Sequence, residues 1–406
     1  MKTQTSRFLL LIALIFSMLT PSTIAHAASL VVNSLLDTAG VDGTCTLREA
    51  IQNANNNAAT NADCIAGSGA DTITFSVSGT ITLGSTLPNI ADAAGLTMDG
   101  TGQTVTISGN NAVGVLMVDA DASLTLNNLT IANGNATDTN GGGINNGGTL
   151  NITNSAFSNN STSNNNSGGG IFNYFGTLTI TNSTFSGNSA PGLAGGGGVY
   201  NFGGTMTITN SAFSGNTAAG GWGGGVFTAN DGTLTITNST FSGNTAADGW
   251  GGGIYNQFGT LNITNSTFSG NSATTAGGGI LNNVGTVTLR NTIVANSASG
   301  GNCVGTITNG GNNIDDGTTC GWVSASGSMS STDPLLGALA NNGGPTQTFA
   351  LLTGSPAIDG VTFNAPNSAP STDQRGVARP QGVRYDIGSY EWVRLYHTYL
   401  PLVFKY

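Results

Sequence analysis

Residues 251–271 read GGGIYNQFGTLNITNSTFSGN. The same phrase stands at 168–188, 196–216 and 223–244, in looser wording at 141–160, and in a degraded copy at 277–297. Its Leu recurs as Leu150, Leu178, Met206, Leu234, Leu261 and Val287, a period of 26 to 28 residues. A fixed period in that range marks a stacked array. The run Thr-Leu-Thr-Ile-Thr at 233–237 alternates polar and apolar residues, the period of a strand. Thr and Ile suit a pleated surface, whereas clusters of Gly and Asn break helices and form turns. The residues therefore choose an all-β, single-stranded parallel β-helix. Its right-handedness follows from the general preference of parallel crossovers.

Each coil points Leu234, Ile236, Asn238, Phe241 and Val226, or their equivalents, inward. Stacking at about 4.8 Å per coil aligns Phe157, Phe185, Phe213, Phe241 and Phe268 in one column. Each buried ring contributes roughly 1.5–3 kcal/mol. Asn154, Asn182, Asn210, Asn238 and Asn265 are expected to form an inward ladder at a bend, where side-chain amides satisfy the turn's backbone.

Outward of the coil, the residue after each inward Ile or Val reads Asn145, Phe172, Tyr200, Phe227, Tyr255 and Leu281, with Phe172, Tyr200, Phe227 and Tyr255 an aromatic run. Trp222 and Trp250 each lie a few residues before these positions, on neighbouring coils. An exposed column of aromatic rings suits sugar rings or a surface protein as partner. The plain structural alternative is that stacked outer rings only stabilise the ladder or lie under a loop.

The ends carry different patterns. Lys2 and Arg7, the apolar run 8–19 and Ala25-His26-Ala27 have the form of a secretory signal peptide over 1–27. No second long apolar run predicts a membrane span after its removal. Residues 28–66 precede the array as an N-terminal cap. There Thr46-Leu47-Arg48-Glu49 predicts a capping box and a short helix that puts Leu47, Ala50, Ile51 and Ala54 on one face. Such a helix suits a plug over the open end of the stack. Irregular coils follow, with strand candidates at 72–75, 80–83, 96–98, 105–107, 115–118 and 124–126. The β-helix is expected over 67–300, with regular coils at 141–297. A C-terminal cap region occupies 301–392, and an aromatic tail, 393–406, reads as a final strand or a short attachment signal. Four Cys in an exported chain predict disulfides. The sequence-local choice among three connectivities is Cys45–Cys64 and Cys303–Cys320.

Specific phrases resemble known families. Cys45-Thr46-Leu47-Arg48-Glu49-Ala50-Ile51 resembles the CSLREA motif of exported bacterial β-helix proteins, with Thr46 in place of Ser. The coils resemble polymorphic outer-membrane protein repeats, marked by GG-x-I (Gly252-Gly253-Ile254) and F-x-x-N (Phe241-Ser242-Gly243-Asn244). The end resembles the choice-of-anchor Q domain, through TDPLLG at 332–337, NNGGPT at 341–346, GSPAID at 354–359, DQRG at 373–376 and DIGSYE at 386–391. These resemblances imply a secreted or surface-displayed, right-handed helix of the pectate-lyase-like class, and no defined activity.

A net charge of −10 argues against nucleic acid as partner. Two His and unsuitable Cys spacing speak against a metal site, and no motif calls for a cofactor. A polysaccharide lyase or hydrolase would need clustered carboxylates. The candidates are Asp99, Asp119 and Asp121, against the simpler role of Asp in turns. The reading is a non-enzymatic exported β-helix for surface display or adhesion, with glycan binding as its possible task. The alternatives are a polysaccharide-active enzyme and a purely structural spacer.

Overall fold

The computed structural model describes residues 27–192, 195–363 and 369–393. The signal-peptide signature, apart from its last residue, and the tail beyond 393 lie outside the described residues. The chain is a parallel β-helix. Among the described residues its sheets contain 11, 10, 8 and 6 strands, and every pairing between coils is parallel.

One coil shows the plan. Thr177–Thr181 belongs to the first sheet, Thr184–Ser186 to the second, Ser189–Ala190 to a short fourth ladder, and Val199–Phe202 to the third sheet. The first and second sheets meet at a sharp corner, occupied by Asn182 at φ 50°. Its equivalents Asn154, Asn210, Asn238 and Asn265 share this left-handed conformation. Asn visits that region more readily than other side chains.

The five Phe stack inside, fully buried, with centroids 4.6–4.8 Å apart and rings within 10° of parallel. The inward Asn ladder, however, is not the predicted one. It consists of Asn160, Asn188, Asn216, Asn244 and Asn271, each donating Nδ2 to the next Oδ1 at 2.9–3.0 Å. The corner asparagines sit outside this core: Asn154 is exposed, and Asn238 and Asn265 are buried only by chain lying over them. A second ladder, Asn146–Asn173–Asn201, lines the third sheet's end and breaks at Thr228. At the break, Thr228 Oγ1 and Asn256 Oδ1 are buried without partners.

The stack starts earlier and ends later than expected. Ser29–Val32 already pairs with Asp71–Phe75, so the N-terminal cap is an insertion between two strands of one sheet. Its helix α1 (Leu47–Asn56) carries the complete capping box and buries Leu47, Ala50, Ile51 and Ala54. Arg48 is tied to Asp37 and to the carbonyls of Ser85 and Thr86. Cys45 is bonded to Cys64 within this cap. At the other end Cys303–Val304, Thr308–Asn309 and Ile314–Asp315 add one strand to each main sheet, so the coils continue past residue 300. Cys303 is bonded to Cys320.

Beyond 330 the chain does not plug the end. After an antiparallel hairpin, Leu336–Ala340 with Thr348–Leu351, it returns along the outside of the second sheet as a strap. Thr346 Oγ1 donates to the Asn210 carbonyl, Thr240 Oγ1 to Gln374 Oε1, and the Gly388 amide to the Asn291 carbonyl. The stretches 373–376 and 386–391 form the strap's inner clasp. Arg379 and Glu391, both fully buried, pair at 3.1 Å beside Asp386, and Arg375 pairs with Asp373 while covering the Tyr390 ring at 3.5 Å.

Candidate functional site: the outer aromatic face

Alternation places Phe172, Tyr200, Phe227 and Tyr255 on the outer surface of the third sheet, one above another. Their registers are consecutive, Phe172 with Tyr200, Tyr200 with Phe227, and Phe227 with Tyr255. Ring centroids lie 5.3, 4.4 and 5.1 Å apart. The column exists, but most of it is not exposed. Phe227 and Tyr255 are 1% exposed and Phe172 8%, while Tyr200 is half-buried.

Trp222 and Trp250 account for part of the cover. They stack on each other at 6.1 Å, and Trp222 packs edge-on against Phe227. Trp250 leans on Tyr255 at 6.3 Å and keeps an open face, at 37% exposure. Phe227, Tyr255, Ala229 and Leu281 thus form a small apolar core outside the coil. Burial pushes the Tyr200 hydroxyl up to about 12, and raises that of Tyr255 against a hydrogen bond from Asn283. Both rings therefore stay neutral across the physiological range.

The open aromatic surface lies one step further along the same strands, in residues that were not among the candidates. Tyr174 is 50% exposed and Phe175 57%, with Phe202 half-buried between them and the column. Tyr174 lies nearly parallel to Phe202 at 5.7 Å, and Phe175 meets both edge-on. Phe175 has φ 54° at the turn into the next strand. A side chain at Gly203, the equivalent turn position of the next coil, would strike the Phe175 ring at 2.4 Å. The glycine thus leaves room for the ring to lie down across the coil. The same turn position carries exposed Phe258 two coils on from Gly203. The signal for Tyr174 and Phe202 was the same alternation, carried two residues past Phe172 and Tyr200, whereas Phe175 stands at the turn, where alternation no longer applies.

The suspected carboxylates are not brought together. Asp99 pairs with Asn127 at one end of the first sheet, while Asp119 and Asp121 precede Ser123 at the other. The strand between them spans roughly 13 Å. Burial raises the Asp99 carboxyl, but hydrogen bonds from Thr101 and Asn128 outweigh it and lower the net value. That is an Asp closing a turn. Asp119 accepts from Asn89. Among the described residues no group of His, Cys, Asp and Glu is placed to hold a metal, and no helix is long and apolar enough to cross a membrane.

An all-parallel solenoid with an aromatic outer face defines the class. The protein family described as the right-handed β-helix region matches residues 94–256, which include irregular and regular coils alike. No curated protein matches the chain.

Proposed function

We propose that this chain is an exported, non-enzymatic β-helix for surface display or adhesion, and that it holds neutral glycans on the open patch of Tyr174, Phe175 and Phe202. The observation that carries the reading is this patch: Tyr174 and Phe175, about half of whose surface is open, packed on Phe202 of the neighbouring coil. Aromatic faces stack on sugar rings through their apolar side, and a monomeric surface seldom presents such a group without use. The surrounding coils offer Thr and Asn as hydrogen-bond partners and few ionised groups. Two disulfides suit an oxidising compartment, in keeping with the leader signature. The separation of Asp99 from Asp119 and Asp121 favours this reading over a polysaccharide-cleaving one.

A glycan-array screen of the mature chain tests the proposal. Neutral oligosaccharides should bind, with little dependence on salt. Tyr174→Ser combined with Phe175→Ser should abolish binding and leave the unfolding midpoint unchanged. Calcium-dependent depolymerisation of a polyuronate by the wild type would falsify the non-enzymatic reading.

A further inference from the structure

The strap covers only part of the second sheet. Beneath it the outer residues Ala212, Thr240, Thr267 and Ile293 are at most 2% exposed. Corner asparagines greet it in a repeated way. Asn238 donates Nδ2 to the carbonyl of Thr372 at 2.8 Å, Asn265 to that of Asp386 at 3.3 Å, and Asn312 to that of Phe363 at 2.8 Å. These three strap positions share no side-chain chemistry. What they have in common is a main-chain carbonyl, so the corner row recognises polypeptide backbone.

Both rows continue unchanged past the strap. Thr130, Ala156 and Thr184 are half-buried, and beside them stand Asn128, Asn154 and Asn182 at φ 56°, 49° and 50°. They floor a groove of about 390 Å³ that ends against Pro345, the residue before the strap's first hold on the coils. No charged side chain lines it. The side-chain amides of Asn154 and Asn182 have no hydrogen-bond partner among the described residues. At the junction, the Oδ1 of Asn210 is buried and likewise unpartnered, a state that costs free energy until a donor arrives.

We propose that this groove binds an uncharged segment of a partner polypeptide, held through its main-chain carbonyls by the open corner asparagines, as Asn238, Asn265 and Asn312 hold carbonyls of the strap. The open coils extend roughly 14 Å, room for four or five extended residues. The proposal stands apart from the aromatic patch, which lies on another sheet.

Peptide selection from a random display library against the full mature chain provides the probe, and fluorescence anisotropy of a selected synthetic peptide provides the readout. Asn154→Gly with Asn182→Gly removes both amides while keeping a residue that accepts positive φ. This variant should weaken binding about tenfold, the loss of two modest hydrogen bonds. Thr184→Arg, which fills the groove floor, should abolish binding, and Tyr174→Ser should leave it unchanged. Selected peptides should be free of charge in their shared core. The proposal fails if no peptide is enriched, if the selected peptides bind all variants like wild type, or if a neutral oligosaccharide displaces them from the groove.

Discussion

Two columns of aromatic rings run along this molecule with nearly the same rise, one inside the coil and one outside. Inside, Phe157 to Phe268 are fully buried and within 10° of parallel. Outside, the interplanar angles of Phe172, Tyr200, Phe227 and Tyr255 run from 9° to 59°, and burial changes from coil to coil. The backbone ladder sets the spacing of both. Only the inner column is enclosed on all sides by its own coil, so every ring there meets the same walls. The outer rings take whatever insertion lies above them: Trp222 over Phe227, Trp250 beside Tyr255. Repetition thus fixes position, while cover is a local matter.

The largest expected effect breaks or sustains this contrast directly. Phe213→Ala should cost roughly 3–5 kcal/mol in denaturant unfolding, because the stacked coils cannot close around the space left. Phe227→Ala should cost about 2–3 kcal/mol, less because the outer cluster can settle onto the coil. Equal losses would mean that the outer cluster is as rigidly enclosed as the core. A loss near zero at Phe227 would mean that the Trp cover does not form.

The strap supplies a second kind of cover, sensitive to pH. Burial, with the nearby Glu391 charge, pushes the Asp386 carboxyl up to about 7, and Glu391 is itself raised by burial. A carboxylate whose folded value lies above its unfolded value stabilises fully below the unfolded value, and that contribution is lost as pH rises through the folded one. Strap attachment, followed by Trp392 fluorescence in urea, should therefore strengthen as pH falls from 8 to 6. Asp386→Asn should flatten the profile. A midpoint that drops on acidification over this window contradicts the assignment.

Much of this was legible in the phrase at 251–271. Alternation with a fixed period gave the inward Leu, Ile and Phe columns, and the capping box at Thr46 gave the start and buried face of α1. The Asn ladder was misplaced because each coil contains several left-handed positions and more than one Asn beside them. Asn238 occupies a corner itself, while Asn244 follows one, at Gly243, and so points in. Asn159 in the slot held elsewhere by Gly187, Gly215, Gly243 and Gly270 marks the second corner. Cover of the outer rings was legible only as the alternative that they lie under a loop; the residues that supply it were not. Nothing within the repeat says that Trp222 folds over Phe227, or that residues some hundred positions on return to bury Thr240 and Thr267. Those contacts depend on single insertions and on a non-repeating segment, where no periodic signal exists.

The division of the outer face into a covered column and an open patch is the claim on which the functional reading depends. Hydroxyl-radical footprinting of the purified chain, read residue by residue by mass spectrometry, tests it without knowledge of any ligand. Strong labelling is expected at Tyr174, Phe175 and Phe258, with Phe172, Phe227 and Tyr255 protected to the level of the inner Phe213. Labelling of Phe227 and Tyr255 at the rate of Phe175 would contradict it, and would return the binding surface to the column itself.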